Sequence, residues 1–441
     1  MKNSGFKWGI FTARLPIIHM RVAWPELAQG LVVSLSTALA LIPLLTTSFG
    51  LTFPEAVTIA MLHMMLVTSN VIIFGEPFAS GWITPALPLV LGFVIGGYDN
   101  AVERFQMMTA LSLDFAALTL LMGVTGWGHK LARLIPAALK AGIILGAALS
   151  AFKRIFYDDL AGFLAMPVSY ILAIFVCLTI LYLPAFQGLK SKYKLWSLIS
   201  SFGLLPSFVM AGVFGGLMGE LTFDITPGFL NPPFAALMEK VSPFSIGFPP
   251  LSYFASALPL TLIAYLILFG DLITGTSLIE DNQKFRPDDP VDINLTRSHY
   301  AVAIRNFLMA IIAPFFPTQG VLWAGAQIII IERWKAGRDK LESLIGGISA
   351  FYYYGIPVVF LILPLVTVLK PFMPIALMLT LLLTGIACGR LALKIAKSMT
   401  DRTIMVLVSL LLTFFSPWVG LLAGGVVCLL VSAAKKKRVK R

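Results

Sequence analysis

The sequence predicts an all-α polytopic membrane protein whose about fourteen transmembrane segments form an inverted repeat, seven plus seven. Three observations predict it. Of 441 residues, 58% are hydrophobic and only 12% are charged, with a mean hydropathy of +0.89; soluble domains carry about twice that share of charge. Two short, broken apolar segments recur, Gly75 to Ala86 (GEPFASGWITPA) and Ala313 to Ala324 (APFFPTQGVLWA). Each sets Pro-Phe, then Ser or Thr, then Gly before an apolar stretch too short to cross a bilayer, a backbone tolerated only inside protein or along a wet cavity. The halves also correspond at a nearly fixed offset. Pro77-Phe78 matches Pro314-Phe315 237 residues on, and Pro136-Ala137-Ala138-Leu139 matches Pro374-Ile375-Ala376-Leu377 238 residues on.

Apolar runs of about twenty residues recur from Leu27 to Leu430. In the first half the segments fall near 26–46, 54–74, 80–98, 105–127, 133–152, 163–184 and 195–217. In the second half they fall near 252–278, 298–314, 318–331, 343–368, 372–392, 403–416 and 417–434. The organisation expected is a cytoplasmic N-terminus (1–24), a first repeat (25–218), a non-cytoplasmic Pro- and Gly-rich loop (219–250), a second repeat (251–434) and a basic cytoplasmic tail (435–441). An odd number of spans per half makes the second half enter from the opposite side, the architecture of alternating access.

The net charge of +12 is spent on topology. Lys and Arg gather in Lys2 to Arg21, around His129 to Arg133, at Lys190 to Lys194, Arg333 to Lys340, Arg390 to Arg402 and Lys435 to Arg441. Threading from a cytoplasmic N-terminus puts all these clusters on one side, as the positive-inside rule requires, and returns the C-terminus to the cytoplasm. Lys2, Lys7, Arg14 and Arg21 read as a cytoplasmic headpiece in place of a signal peptide. The location expected is the cell membrane, with the lipid bilayer as partner and no nucleic acid. Cys177, Cys388 and Cys428 lie far apart inside apolar runs, so neither a metal site nor a disulfide framework is expected.

Gln29-Gly30-Leu31 to Leu41-Ile42-Pro43, Gly126-Trp127 to Pro136 with Gly142 and Gly146, Leu268 to Thr276 (LFGDLITGT) and the two broken segments together resemble the uracil/xanthine permease (UraA-like nucleobase transporter) and SulP anion transporter superfamily. The resemblance covers nearly the whole chain. It implies core and gate domains, a site between the broken third and tenth segments and the first and eighth helices, and a homodimer through the gate domain. The chain departs from the nucleobase branch by lacking a carboxylate in Thr318 to Trp323. From the SulP branch it departs by a short basic tail in place of a STAS domain, and by showing no Arg beside the tenth segment before Arg333.

Asp271 is the sharpest candidate, an acid within the apolar run Leu258 to Ile279. A charge at bilayer depth costs at least about 2.5–3.5 kcal/mol and is kept mostly where it serves a pathway or is paired. The resemblance gives it substrate binding and proton coupling; the bland reading is a core acid bonded to Thr274. Ser80, Gly81, Thr84, Thr318, Gln319 and Gly320 open the two broken helices, whose N-termini offer free N–H groups to a negative group. Ser36, with Ser34 and Thr37, joins them through the first helix, although small hydroxyls often serve helix packing. Glu76 at a segment edge reads as wet, Asp114 as a partner for a base on another helix, and Lys140 as a snorkelling cation. Arg305 is another charge in an apolar run, and His63 reads as a satisfied core histidine.

The function expected is secondary active transport of a small solute, foremost proton-coupled uptake of a nucleobase-like molecule by an elevator or rocking movement of the core; a proton or sodium gradient would drive it, with no cofactor. The alternative is a SulP-like carrier of a small organic or inorganic anion. Channel conduction also remains open. Two intramembrane enzymes rank lower: an aspartyl protease (Asp158, Asp271) and a prenyltransferase (Asp288-Asp289-Pro290-Val291-Asp292). No catalytic residues and no metal ligands are assigned.

Overall fold

The structure, a computed structural model, describes residues 5–128, 130, 135–193, 195–196, 205–356 and 358–439, with backbone alone for 32–39, 187, 190–191, 205, 354, 358 and 432–439. His129, Arg133, Lys194 and the side chains of Ser34, Ser36 and Thr37 therefore lie outside the described residues.

A two-stranded antiparallel hairpin, β1 (Phe6–Trp8) and β2 (Phe11–Ala13), precedes the helices. In the first half follow α1 (Trp24–Leu39), α2 (Leu41–Ser48), α3 (Phe53–Ile72), α4 (Leu87–Gly97), α5 (Ala101–Thr125), α6 (Ala137–Lys153), α7 (Leu160–Ala165), α8 (Pro167–Tyr182), α9 (Pro184–Lys192) and α10 (Leu205–Leu217). The intervening stretch carries α11 (Phe234–Val241) and α12 (Pro243–Ile246). Then come α13 (Leu251–Gln283), α14 (Leu295–Ile312), α15 (Ala324–Lys335), α16 (Leu344–Phe351), α17 (Val358–Leu361), α18 (Leu363–Leu369), α19 (Met373–Ile395), α20 (Met399–Phe414) and α21 (Pro417–Val439). Among the described residues four helical stretches are long and apolar enough to cross a membrane: α3, α5, α13 and the run Leu363–Ile395.

Several spans expected as single helices are divided. The first segment breaks at Ala40, ahead of Pro43, into α1 and α2. The third is extended up to Ile83 and becomes α-helical only at Leu87; the tenth is extended to Trp323. The eleventh, expected continuous over 343–368, is cut twice. Its first cut, Tyr352 to Ile356, follows α16 and lies against α3, where Thr68 Oγ1 donates to the Tyr352 carbonyl at 3.2 Å. Its second, at Ile362, is paired by an isolated antiparallel bridge to Phe229 in the 219–250 stretch: Leu230 N donates to Leu361 O (2.8 Å) and Leu363 N to Gly228 O (3.1 Å). Backbone freed from a helix in lipid must find other partners, and both cuts do.

The helices pack in two sets. In one, α5 lies against α13 and α14, α1 against α16, and α13 against α15. In the other, α6 packs on α19 and α20, α20 on α21, and α8 on α10. The sets meet where α4 touches α6 and where α1 and α2 touch α19. Within the second set Glu220, in the loop after α10, caps α8 from outside. It accepts from Val168 N (2.9 Å), Ser169 N (2.7 Å) and Ser169 Oγ (2.7 Å). Burial acts to raise its pKa, but these hydrogen bonds outweigh that and hold the carboxyl below the usual glutamate range.

The acidic loop after α13 is consumed as a staple. Arg286, buried, donates to the Trp334, Leu341 and Glu342 carbonyls and to the Asp288 carboxylate. Asp289 accepts from Trp334 Nε1 and Leu344 N, both at 2.8 Å, and Asp292 pairs with Arg297 at 2.7 Å.

Two outcomes are expected. Gly355 sits in the first cut so close to α3 that a Cβ would lie 1.9 Å from Thr68 Oγ1 and 2.7 Å from the Met64 carbonyl oxygen. Gly355→Ala should therefore lower stability by about 1–3 kcal/mol, whereas Gly92→Ala, facing open space, should be neutral or stabilising by up to ~1 kcal/mol; thermal unfolding in detergent reads both. Because the Glu220 pKa is depressed on folding, its contribution is complete above the ordinary glutamate value of about 4.3 and is lost as pH falls through the lowered one. The melting-temperature gap between the natural chain and Glu220→Gln should be constant at neutral pH and close in acid.

Candidate functional site

The two broken segments cross. Ile83 N donates to Pro317 O (2.9 Å), Gly320 N to Gly81 O (2.7 Å) and Trp323 N to Ala79 O (2.5 Å), an antiparallel pairing centred on the two glycines. Only glycine fits there. A Cβ on Gly81 would lie 2.9 Å from Trp323 Cβ, and one on Gly320 2.7 Å from the Gly81 carbonyl oxygen. Because the strands run antiparallel, α4 and α15 leave the crossing in opposite directions with their N-termini directed at it.

Every carbonyl from Pro77 to Ile83 has a donor. Gln327 Nε2 serves Pro77 (3.2 Å), Asn70 Nδ2 serves Phe78 (3.2 Å), the Trp323 amide serves Ala79, the Tyr352 hydroxyl serves Ser80, the Gly320 amide serves Gly81, Thr84 Oγ1 serves Trp82 (3.3 Å) and the Ala86 amide serves Ile83 (2.9 Å). The donors are treated differently. Among the described residues the amides of Gly81, Trp82, Val321 and Leu322 have no hydrogen-bond acceptor. On the first strand carbonyl oxygens are consumed and N–H groups are left over, a surplus that suits a negatively charged ligand. On the second, Gln319 and Gly320 have donors while the Thr318, Val321 and Leu322 carbonyls have none among the described residues.

The second strand is held from behind by Arg305 of α14. Fully buried, it donates to Gly320 O (2.8 Å), Gln319 Oε1 (3.3 Å) and Ala301 O (3.3 Å). No carboxylate lies within ion-pair distance of it among the described residues. Asn306, one residue on, donates to Gln319 O at 2.9 Å. Sequence reading found no arginine beside the tenth segment; the structure corrects this, because the arginine comes from the preceding helix. Its only sequence signal was a lone charge in an apolar run.

The predicted site residues divide by direction. Gly81 and Gly320 are the crossing itself. Ser80 Oγ turns away from it to Val67 O (2.8 Å), Thr318 Oγ1 meets His63 Nδ1 and Met309 Sδ (3.1 Å), and Gln319 Nε2 donates to His63 O (3.2 Å). These three side chains brace the crossing. His63 Nε2 lies 2.8 Å from the Ala313 carbonyl, which can only accept, so Nε2 carries the proton and Nδ1 accepts from Thr318. Thr84, half-buried, stands at the entry to α4. The Ser36 side chain lies outside the described residues.

Asp271, half-buried on α13, makes no hydrogen bond or ion pair with any described residue. Thr274 Oγ1 donates instead to the Gly270 carbonyl at 2.8 Å. One helical turn further on, Gly275 packs against Phe78 and Leu322, so Asp271 stands about 6 Å along the helix from the face that touches both strands. Glu76 is not wet. It is fully buried, paired with Arg297 at 2.5 Å and bonded by Ser298 Oγ. Asp114 finds no basic partner among the described residues, and one of its carboxylate oxygens is buried without a hydrogen bond.

No protein-family model and no curated protein matches this sequence. Solved structures do match, and two sorts decide the fold. The structure of murine solute carrier 26 family member A9 (Slc26a9), an anion transporter in the inward-facing state, is similar with a TM-score of 0.57 at 13% identity, over 94% of this chain and 69% of that one. The transmembrane domain of a cyanobacterial bicarbonate transporter, BicA, is similar with a TM-score of 0.53 at 13% identity, over 92% of this chain and 99% of that one. The chain has the fold of these transporters. A second SLC26A9 structure is similar at 15% identity and a TM-score of 0.55, over 94% of this chain and 66% of that one. The nucleobase and SulP branches named by the sequence resemblance share this fold family.

Arg305→Met should leave the Gly320 carbonyl and Gln319 Oε1 without donors and cost about 2–5 kcal/mol. Arg305→Lys should recover part of that, since an ammonium serves one acceptor but lacks the fork. Thermal unfolding in detergent measures both.

Proposed function

We propose that the chain is a secondary transporter of a small anion, carried at the crossing of the two broken segments. The observation that carries this is the imbalance on the first strand, whose carbonyls are spent while the Gly81 and Trp82 amides are not, beside two helix N-termini and a buried arginine without an ion pair among the described residues. Each is a partial or full positive charge at a place where an uncompensated charge is costly. The fold neighbours support the same reading, since one is an anion transporter and another a bicarbonate transporter by name. The nucleobase substrate foreseen from sequence gives way to the anion alternative. It rested on the absence of a site arginine, and Arg305 removes that ground. Of the aspartates in the two enzyme-like patterns all but Asp271 are engaged otherwise, Asp158 with Lys153 at 2.6 Å and Asp288, Asp289 and Asp292 in the staple after α13.

In this proposal the fourteen-span inverted repeat divides into a core domain (segments one to four and eight to eleven) and a gate domain (five to seven and twelve to fourteen), which correspond to the two packing sets. The core, with its charges internally bonded, slides or rocks against the gate and exposes the crossing to each side in turn. Asp271 is the unpaired acid next to the site, placed to bind a proton or a sodium ion and so couple anion movement to a cation gradient. The gate surface, with Ile171 and Phe175 exposed, supplies the homodimer contact.

Purified protein in liposomes should take up bicarbonate, chloride or sulfate with saturation and counterflow, and should ignore uracil. Asp271→Asn should still exchange the anion across the membrane but lose accumulation driven by a proton or sodium gradient. Uracil accumulation without anion flux would overturn the anion assignment, and non-saturating flux without counterflow would make the protein a channel.

A further inference from the structure

The eleventh span was read from sequence as one apolar helix; in the structure its first cut reaches the crossing. Gly30 of α1 allows the close approach, since a Cβ there would meet the Phe351 carbonyl oxygen at 1.9 Å, and Gly355 presses against α3. Between these contacts the chain turns outward at Phe351-Tyr352. The Phe351 ring stacks edge-on against Trp323 of the second strand, with centroids 6.1 Å apart, and the Tyr352 hydroxyl donates to the Ser80 carbonyl of the first strand. Tyr352 is buried, and its own carbonyl is held by Thr68. One two-residue step thus touches both strands.

We infer that Tyr352 is a positioning residue for anion binding, and that it acts by holding the Ser80 carbonyl. This rests on the anion reading of the crossing. Ser80 is the neighbour of Gly81, whose amide is unspent. In a trans peptide the Ser80 oxygen and the Gly81 N–H point in opposite directions, so holding the oxygen from one side fixes the plane in which the amide faces the other. Without that donor the peptide would be free to rotate and the Gly81 amide would lose its aim. No other carbonyl from Pro77 to Ile83 takes its donor from this cut helix: the remaining donors come from α3, from the residues around α4, or from the second strand and α15. The cut in the eleventh helix therefore has a purpose that a continuous helix would not meet, since it turns a phenol towards the strand.

Tyr352→Phe keeps the ring and removes the donor, and Thr68→Val loosens the same cut on its far side without touching the strand. In liposomes measuring bicarbonate and chloride uptake, Tyr352→Phe should raise KM about tenfold with the maximal rate little changed, beside a modest fall in melting temperature from the unmet carbonyl. Thr68→Val should lower the melting temperature and leave KM alone. Hydrogen exchange on the full protein gives a readout that needs no substrate: the peptide spanning Ser80 to Ile83 should exchange faster in Tyr352→Phe than in the natural chain. Unchanged exchange there, or a fall in maximal rate and melting temperature together at constant KM, would overturn that role. Faster exchange in a protein that carries neither anion would retain Tyr352 as the brace of the crossing while rejecting the anion reading.

Discussion

The crossing of two extended strands inside an apolar protein is the constraint from which the rest follows. Extended backbone in such surroundings is unstable unless its polar groups are met, because no water replaces the missing helix bonds. The molecule meets the oxygens one by one. Asn70 and Gln327 reach in from α3 and α15, Asn306 and Arg305 from α14, and Tyr352 from the cut eleventh helix. Each of these side chains is polar where lipid-facing chemistry would have it apolar, and each is buried. The helices around the crossing are thus tied to it by hydrogen bonds as well as by packing, and a set of elements tied in this way moves as a body.

The charges obey a related rule. Glu76 lies near the start of the first strand, and its burial is tolerable because Arg297 pairs with it and Asp292 in turn shares Arg297. Removing one member of such a buried pair typically costs about 3–5 kcal/mol, more than the pair contributes over an apolar replacement. Arg305 has no such acid. It is held by the Gly320 and Ala301 carbonyls and the Gln319 amide oxygen, and the Glu76 carboxylate acts on it only from beyond ion-pair distance. Asp271 and Asp114 likewise have no ion pair among the described residues. In the proposed reading these are the groups left to answer a passing charge.

Much of this was legible in the sequence, and the reason is the chemistry of Pro and Gly. Pro77, Pro314 and Pro317 forbid continuous helix, and Gly81 and Gly320 admit a close approach, so the positions of the two breaks and their correspondence could be read directly. Asp271 was legible as an acid where acids are costly. Illegible were the directions of side chains. Ser80, Thr318 and Gln319 were assigned to the ligand because they are polar and lie at the breaks, but extended strands point alternate residues to opposite faces, and which face is the protein interior depends on helices distant in sequence. Arg305 was missed for the same reason, as its acceptors lie on the following segment. The cut at Tyr352 left only the faint trace of Gly355-Ile356-Pro357 after the apolar run Phe351-Tyr352-Tyr353-Tyr354, since Gly and Pro also occur within continuous membrane helices.

In the proposed anion reading the electrostatics of the first strand weigh more than any single residue. A nucleobase needs both donors and acceptors at its edge, because its ring presents both. At this crossing the acceptors of the first strand are already occupied, so a ligand with ring N–H groups would find no carbonyl free between Pro77 and Ile83 to receive them. A small anion makes no such demand. It needs donors alone, and the amides of Gly81, Trp82, Val321 and Leu322, with Arg305 behind Gly320, supply nothing else. In the proposed anion reading a coupling cation would be served by a group separate from the amides and the guanidinium, which offer it no acceptor. Asp271, one turn from the packing face of Gly275 and without an ion pair among the described residues, is the acid this reading uses.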